Sequence, residues 1–102
     1  MPIYGDKHRL TRRNVELAPD APGVYALYEN GEVAYYGRAQ GGSDTIRARL
    51  GEHLAGRQAP GRIKAKLFCY EVTRFPASRE RALLEEHRRN TWRWPEYNAP
   101  LA

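Results

Sequence analysis

The stretch Gly23–Gly37, GVYALYENGEVAYYG, constrains this chain more than any other. It reads as two short strands joined by a tight turn. Val24, Tyr25, Leu27 and Tyr28 lead in, and Val33, Tyr35 and Tyr36 lead out. These are residues that suit a pleated, half-buried surface. Asn30-Gly31 between the arms is a strong hairpin signal. Each arm also carries a tyrosine beside a glycine at its open end, in Gly23-Val24-Tyr25 and in Tyr35-Tyr36-Gly37. Two phenols and two glycines at a hairpin mouth point to a site as well as to core.

The turn decides which tyrosines share a face. A two-residue Asn30-Gly31 turn pairs Glu29 with Glu32 and sets Tyr25 opposite Tyr36. A three-residue Glu29-Asn30-Gly31 loop pairs Tyr28 with Glu32 and sets Tyr25 opposite Tyr35. A slip of one residue turns a whole strand over. Gly31 at the last loop position suits the left-handed bulge of the three-residue form, which is therefore the expected one.

A chain of 102 residues predicts one domain over 1–102, with a basic lead-in at 1–20 and a motif-bearing core at 22–98. At 41% hydrophobic it is ordinary globular material and not a disordered tail. Lys and Arg number 17 against 12 acidic residues, a formal charge of +5. That balance favours an anionic partner, nucleic acid ahead of an anionic membrane. Cys69 is the one cysteine, so an internal disulfide and a Cys/His zinc site are both excluded. No long apolar run predicts a membrane span or a signal peptide, and a cytoplasmic placement is expected.

Along the chain, Thr11 caps a short helix through Glu16-Leu17, and Pro19, Pro22 and Gly23 turn into the first strand. After the hairpin, Arg38 to Gly42 reads as a loop. A helix follows near 44–55, capped by Ser43 or Asp44 and ended by Gly56. Ile46, Leu50 and Leu54 form its buried stripe, and Arg49 and His53 lie one above the other on its flank. Residues 64–73 read as a third strand buried on both faces. A second helix opens at Pro76-Ala77-Ser78, with Ser78 as cap, and runs to Thr91 or Trp92. Ala82, Leu83, Leu84 and His87 give its apolar side. Glu86 sits at the margin of that stripe, where a solvated acid is out of place, while Glu80 and Glu85 read as surface acids. Trp92, Trp94, Pro95, Tyr97 and Asn98 suggest a tail pinned to the core. Arg38, Arg47, Arg57, Arg62 and Lys64 are the candidates for contact with a phosphate backbone.

Together these pieces resemble the GIY-YIG nuclease family, over about residues 22–98. Gly23-Val24-Tyr25 matches the first motif. Tyr35-Tyr36-Gly37 matches the second, with Tyr36 in the place of an Ile or Val. Arg49 matches the family's helical arginine, Glu86 its catalytic glutamate, and Pro95-Glu96-Tyr97-Asn98 its closing Pro-x-x-Asn. Arg38 stands where a Lys often follows the second motif. His53 resembles the histidine that, in some restriction-enzyme members, orients the tyrosine base.

The resemblance implies a small α/β (α+β) fold, a three-stranded antiparallel sheet flanked by helices. It implies metal-dependent hydrolysis of DNA phosphodiester bonds that leaves 5′-phosphate and 3′-hydroxyl ends. Tyr25 is then the candidate general base, with Tyr35 hydrogen-bonding in the site. Arg49 grips the phosphate, Glu86 is the metal ligand for Mg²⁺ or Mn²⁺, and Asn98 positions Glu86 or the backbone around it. The alternatives are a non-catalytic nucleic-acid-binding module and a subunit that takes its target choice from a homodimer or a partner protein. Branched or otherwise structured DNA, and RNA, both stay open as targets.

Overall fold

The computed structural model describes Ile3 and residues 5–56 and 63–98. Two helices, a mixed-length antiparallel sheet and a third helix stack as three layers. The sheet contains β1 (His8–Arg9), β2 (Gly23–Glu29), β3 (Glu32–Ala39) and β4 (Leu67–Val72), in the spatial order β1-β4-β2-β3. The helices are α1 (Arg12–Glu16), α2 (Ile46–Leu54) and α3 (Pro76–Thr91), and a 3-10 turn follows at Glu96–Asn98. The sheet therefore has four strands where the sequence predicts three. The extra one is the two-residue β1 in the basic lead-in, where His8 pairs with Phe68 and Arg9 with Leu67.

The hairpin turn is the two-residue form, not the expected three-residue one. Glu29 pairs with Glu32, and Asn30 and Gly31 both take positive φ, 53° and 80°. Such a turn matches the right-handed twist of the strands it joins. Carried straight on, it would set Tyr25 opposite Tyr36. A bulge intervenes: Tyr28 pairs with Val33 but Leu27 pairs with Tyr35, so Ala34 is skipped and Tyr25 comes to lie opposite Gly37. The extra residue restores the parity that the turn removed. Tyr25 and Tyr35 share a face after all, by a different device from the left-handed Gly31 bulge.

Alternation then divides the core in two. Tyr25, Leu27, Ala39 and Phe68 face α1 and α2, packing with Val15, Ala18, Ile46 and Leu50. Val24, Ala26, Tyr36 and Cys69 face α3 and pack on Leu83. Phe68 and Cys69 are neighbours buried on opposite faces, as the apolar run through β4 predicts.

Local chemistry sets the helix ends. Thr11 caps α1, its Oγ1 accepting from Asn14 N at 3.2 Å. For α2 the cap is Thr45, which accepts from Ala48 N at 3.2 Å, in place of Ser43 or Asp44. The first amides of α2 donate to the chain before β2, Ile46 N to Ala21 O at 2.9 Å and Arg47 N to Pro19 O at 3.1 Å. α3 starts without a side-chain cap; Phe75 is in the N-cap position, Pro76 supplies the preset φ of a first turn, and Ser78 is already helical. The buried and half-buried positions of α3 are Pro76, Arg79, Glu80, Leu83, Leu84, Glu86 and His87, and Ala82 is exposed.

Candidate functional site

The site begins with a phenol lying over a glycine. Tyr25 is 1% exposed and its ring covers Gly37 across the β2/β3 pair. A methyl group on Gly37 would coincide with the Tyr25 ring and phenol oxygen. At Gly23 a methyl group would run into the Glu71 carbonyl and the Ile46 side chain. The two glycines at the hairpin mouth thus make room for the tyrosine and for close packing of α2. Gly37→Ala is expected to cost about 1–3 kcal/mol, the usual range for overpacking. A urea titration checks this; an unchanged midpoint would contradict the packing account.

α2 delivers the next two groups, one turn apart on the flank beside its buried Ile46 and Leu50. His53 Nε2 lies 3.0 Å from Tyr25 Oη. The rings of Tyr25, Tyr35 and His53 form a triangle, with centroids 5.5 Å apart for each tyrosine–histidine pair and 6.3 Å for the two tyrosines. Burial, and after it the Arg49 charge, lowers the His53 pKa to about 4. Burial pushes the Tyr25 phenol well above its ordinary value; the neighbouring Tyr35 adds to this and Arg49 opposes it. At neutral pH the pair is therefore an un-ionised phenol hydrogen-bonded to a neutral imidazole.

This pair has a stability consequence. The folded His53 binds a proton less readily than an unfolded histidine, so the unfolded state takes up protons first as the pH falls. Stability is expected to decline from about pH 6.5, the ordinary histidine value, down to about pH 4. In that window the wild-type urea midpoint should fall more steeply than that of His53→Gln. Parallel curves would mean that His53 is not held neutral by the fold.

Arg49 projects toward the same cluster, and its side chain is clamped. Its Nε donates to Asp44 Oδ1 at 2.6 Å and its Nη2 to Asp44 Oδ2 at 3.0 Å. The Arg49 charge acts on Tyr25, Tyr35 and His53 alike. Arg38, on β3 next to Gly37, donates from Nη1 to Glu80 Oε1 at 3.1 Å. Glu80 is no ordinary surface acid, contrary to the expectation from its sequence position. Its side chain is 18% exposed. Burial lifts its carboxyl above the usual range, with Arg38 and Arg49 pulling it back. Its charge is also felt by both phenols.

Six residues along α3 from Glu80, Glu86 interacts electrostatically with Tyr36 and Arg79. Tyr36 points to the α3 side of the sheet, the face opposite Tyr25 and Tyr35. The fold thus brings together Tyr25, Tyr35, Arg49, His53 and Arg38, and adds Asp44 and Glu80. Glu80 lies three and four residues before Leu83 and Leu84, so helical spacing places it on their face.

Asn98 closes the edge. β3 is an outer strand, and at Tyr36 its backbone is paired by a side chain. Asn98 Oδ1 accepts from Tyr36 N at 2.6 Å and Nδ2 donates to Tyr36 O at 2.9 Å. The amide stands in for a missing neighbouring strand between Tyr35 and Gly37, so the pinned tail holds the site's backbone. Among the backbone-contact candidates, Arg47 donates from Nε to Ala18 O at 2.9 Å, tying α2 to the end of α1. Lys64 is exposed, and Arg57 and Arg62 lie outside the described residues.

Two clefts border α3. Arg38 and Glu80 line a cleft of about 180 Å³ that extends to Arg81 and Trp94. A larger one, about 420 Å³, opens at the hairpin turn among Glu29, Glu32, His87 and Glu96. Arg93 lines it too, facing three glutamates. No helix among the described residues is long and apolar enough to cross a membrane.

A bulged tyrosine hairpin, with a helix carrying arginine and histidine on one face and a long helix on the other, is the GIY-YIG fold. The chain superposes on the GIY-YIG N-terminal endonuclease domain of UvrC from Thermotoga maritima, a point mutant bound to its catalytic divalent cation. The TM-score is 0.59 at 23% identity, covering 87% of this chain and 94% of that one. Another point mutant of that domain, also bound to its catalytic divalent cation, gives 0.58 at 22%, covering 84% and 91%. Residues 1–90 match the family described as Domain of unknown function (DUF7508), and the chain belongs to that family. No curated protein matches the sequence.

Proposed function

We propose that this chain is a divalent-metal-dependent endonuclease that hydrolyses phosphodiester bonds in DNA. The observation that carries the reading is the cluster at the hairpin mouth, where Tyr25 Oη meets a neutral His53 at 3.0 Å beside Arg49. The UvrC domains that share the fold are endonuclease domains bound to a catalytic divalent cation, which supports the same chemistry here.

In this reading Arg49 and Arg38 bind the phosphate oxygens, where charge grows in the transition state. Tyr25 is too buried to meet the attacking water directly. Tyr35, only half-buried, presents the phenol oxygen that does, and the Tyr25–His53 pair behind it orders the cluster. The base role expected of Tyr25 thus falls to Tyr35, whose ionised form Arg49 and Arg38 favour.

The donor set fits Mg²⁺ or Mn²⁺. Among the described residues no group of three or more His, Cys, Asp or Glu side chains is placed to hold a metal ion. A single hard carboxylate, with water and phosphate completing the shell, suits Mg²⁺. When bound, such a cation offsets the charge developing on the phosphate. We assign the carboxylate to Glu80 in place of Glu86, because Glu80 shares its surroundings with Arg38, Arg49 and the phenols.

The test is a panel of end-labelled linear, nicked, branched and single-stranded DNAs, with RNA counterparts, incubated with Mg²⁺ or Mn²⁺. The reading expects cleavage of DNA with 5′-phosphate products. Cleavage of RNA alone would move the substrate class, and binding without cleavage under either metal would make the chain a binding module.

A further inference from the structure

We infer that Asp44 is a positioning residue for the reaction, acting through Arg49; the inference rests on the nuclease reading above. The connection from Gly37 to α2 contains a closed loop. Gly41 N donates to Asp44 O at 2.8 Å and Asp44 N to Gly41 O at 3.1 Å. Gly41 and Gly42 take φ of 114° and 68°, which favour glycine. A reciprocal pair of backbone hydrogen bonds thus closes the loop.

The Asp44 side chain is engaged as well. Asp44 Oδ2 accepts from Gln40 N at 3.0 Å, which fixes the carboxylate to the loop. Both of its oxygens then face Arg49, taking Nε at 2.6 Å and Nη2 at 3.0 Å. Surface ion pairs between mobile side chains count for little. This one is bidentate, and a bidentate fork fixes the plane of the guanidinium as well as its place. An arginine gripped along its Nε edge has one orientation left for the opposite edge. Here that is the orientation in which its charge acts on Tyr25, Tyr35 and His53. A phosphate received there lands beside the phenols. A loosened guanidinium still attracts DNA but no longer sets that register, and small misplacements of such groups lower turnover strongly.

The prediction is a loss in kcat with little change in KM. Asp44→Asn keeps the shape of the side chain and an acceptor for Gln40 N but removes the charge and the paired acceptors. Its kcat should fall about 10–100-fold, the range for groups that orient a functional side chain. KM for DNA should stay within about twofold or drop, since a negative charge is removed. Asp44→Glu should recover part of kcat, and in an Arg49→Lys background Asp44→Asn should have no further effect. An NMR readout does not need turnover: the Arg49 Nε–H resonance of the wild type should be slow to exchange with water and should lose that protection in Asp44→Asn. If the wild type cleaves and Asp44→Asn matches or exceeds its kcat, the positioning role is wrong while the nuclease reading stands. If the wild type does not cleave, the nuclease reading fails and this inference goes with it.

Discussion

Arg49→Ala should abolish DNA cleavage while leaving the fold almost unchanged. Two quantities set the size of the effect. A cationic fork aimed at a transferring phosphoryl group is worth about 10³-fold or more in turnover. The structural cost is small, because the Asp44–Arg49 pair is partly exposed, with side chains 25% and 30% accessible. Arg49 also opposes ionisation of His53, so its removal should raise the His53 pKa, read by NMR titration of the imidazole. Thermal unfolding and single-turnover cleavage on the same samples check this. An active Arg49→Ala variant would place the phosphate somewhere other than the hairpin mouth.

The second large effect separates two acids that the sequence ranks one way and the fold another. Glu80→Gln should lose about 10³-fold in cleavage and bind Mn²⁺ measurably more weakly. Glu86→Gln should stay within about tenfold of wild type. The reason is topological. Gly37 and Arg38 lie at the end of β3 nearest the start of α3, and Arg38 reaches Glu80 at 3.1 Å. Glu86 sits nearly two turns further along, under Tyr36. Titration of Mn²⁺ with calorimetry gives a readout independent of turnover. If Glu86→Gln alone loses both metal and activity, the motif spacing outranks the geometry, and α3 must be rotated or shifted in the active state.

Much of this could be seen before the structure. The two tyrosine arms and the glycines beside them follow from short-range patterns of residue type and spacing, while Arg49, His53 and Asn98 are singled out by the resemblance to the GIY-YIG family. What was hidden depends on a single residue of offset or on long-range contact. Skipping Ala34 is invisible in a run of strand-forming residues, yet it sets Tyr25 opposite Gly37. The burial of Glu80 rests on its contact with Arg38 from β3, a long-range pairing. Thr45 caps α2 because the Asp44 carboxylate is engaged by Arg49, a contact no local pattern announces. The burial of Tyr25 is a tertiary fact too. It raises the phenol's proton affinity where a base was expected to have it lowered, and moves the solvent-facing role to Tyr35.

Relaxation of supercoiled plasmid by the purified chain, read with Mg²⁺ or Mn²⁺ and with chelator, for wild type, Arg49→Ala and Glu80→Gln side by side, tests the central claim most directly. The account predicts metal-dependent nicking by the wild type, none in chelator, and none within the assay by either variant. Nicking that persists undiminished in both variants, or a wild type that binds the plasmid and never cuts it under either metal, would contradict it.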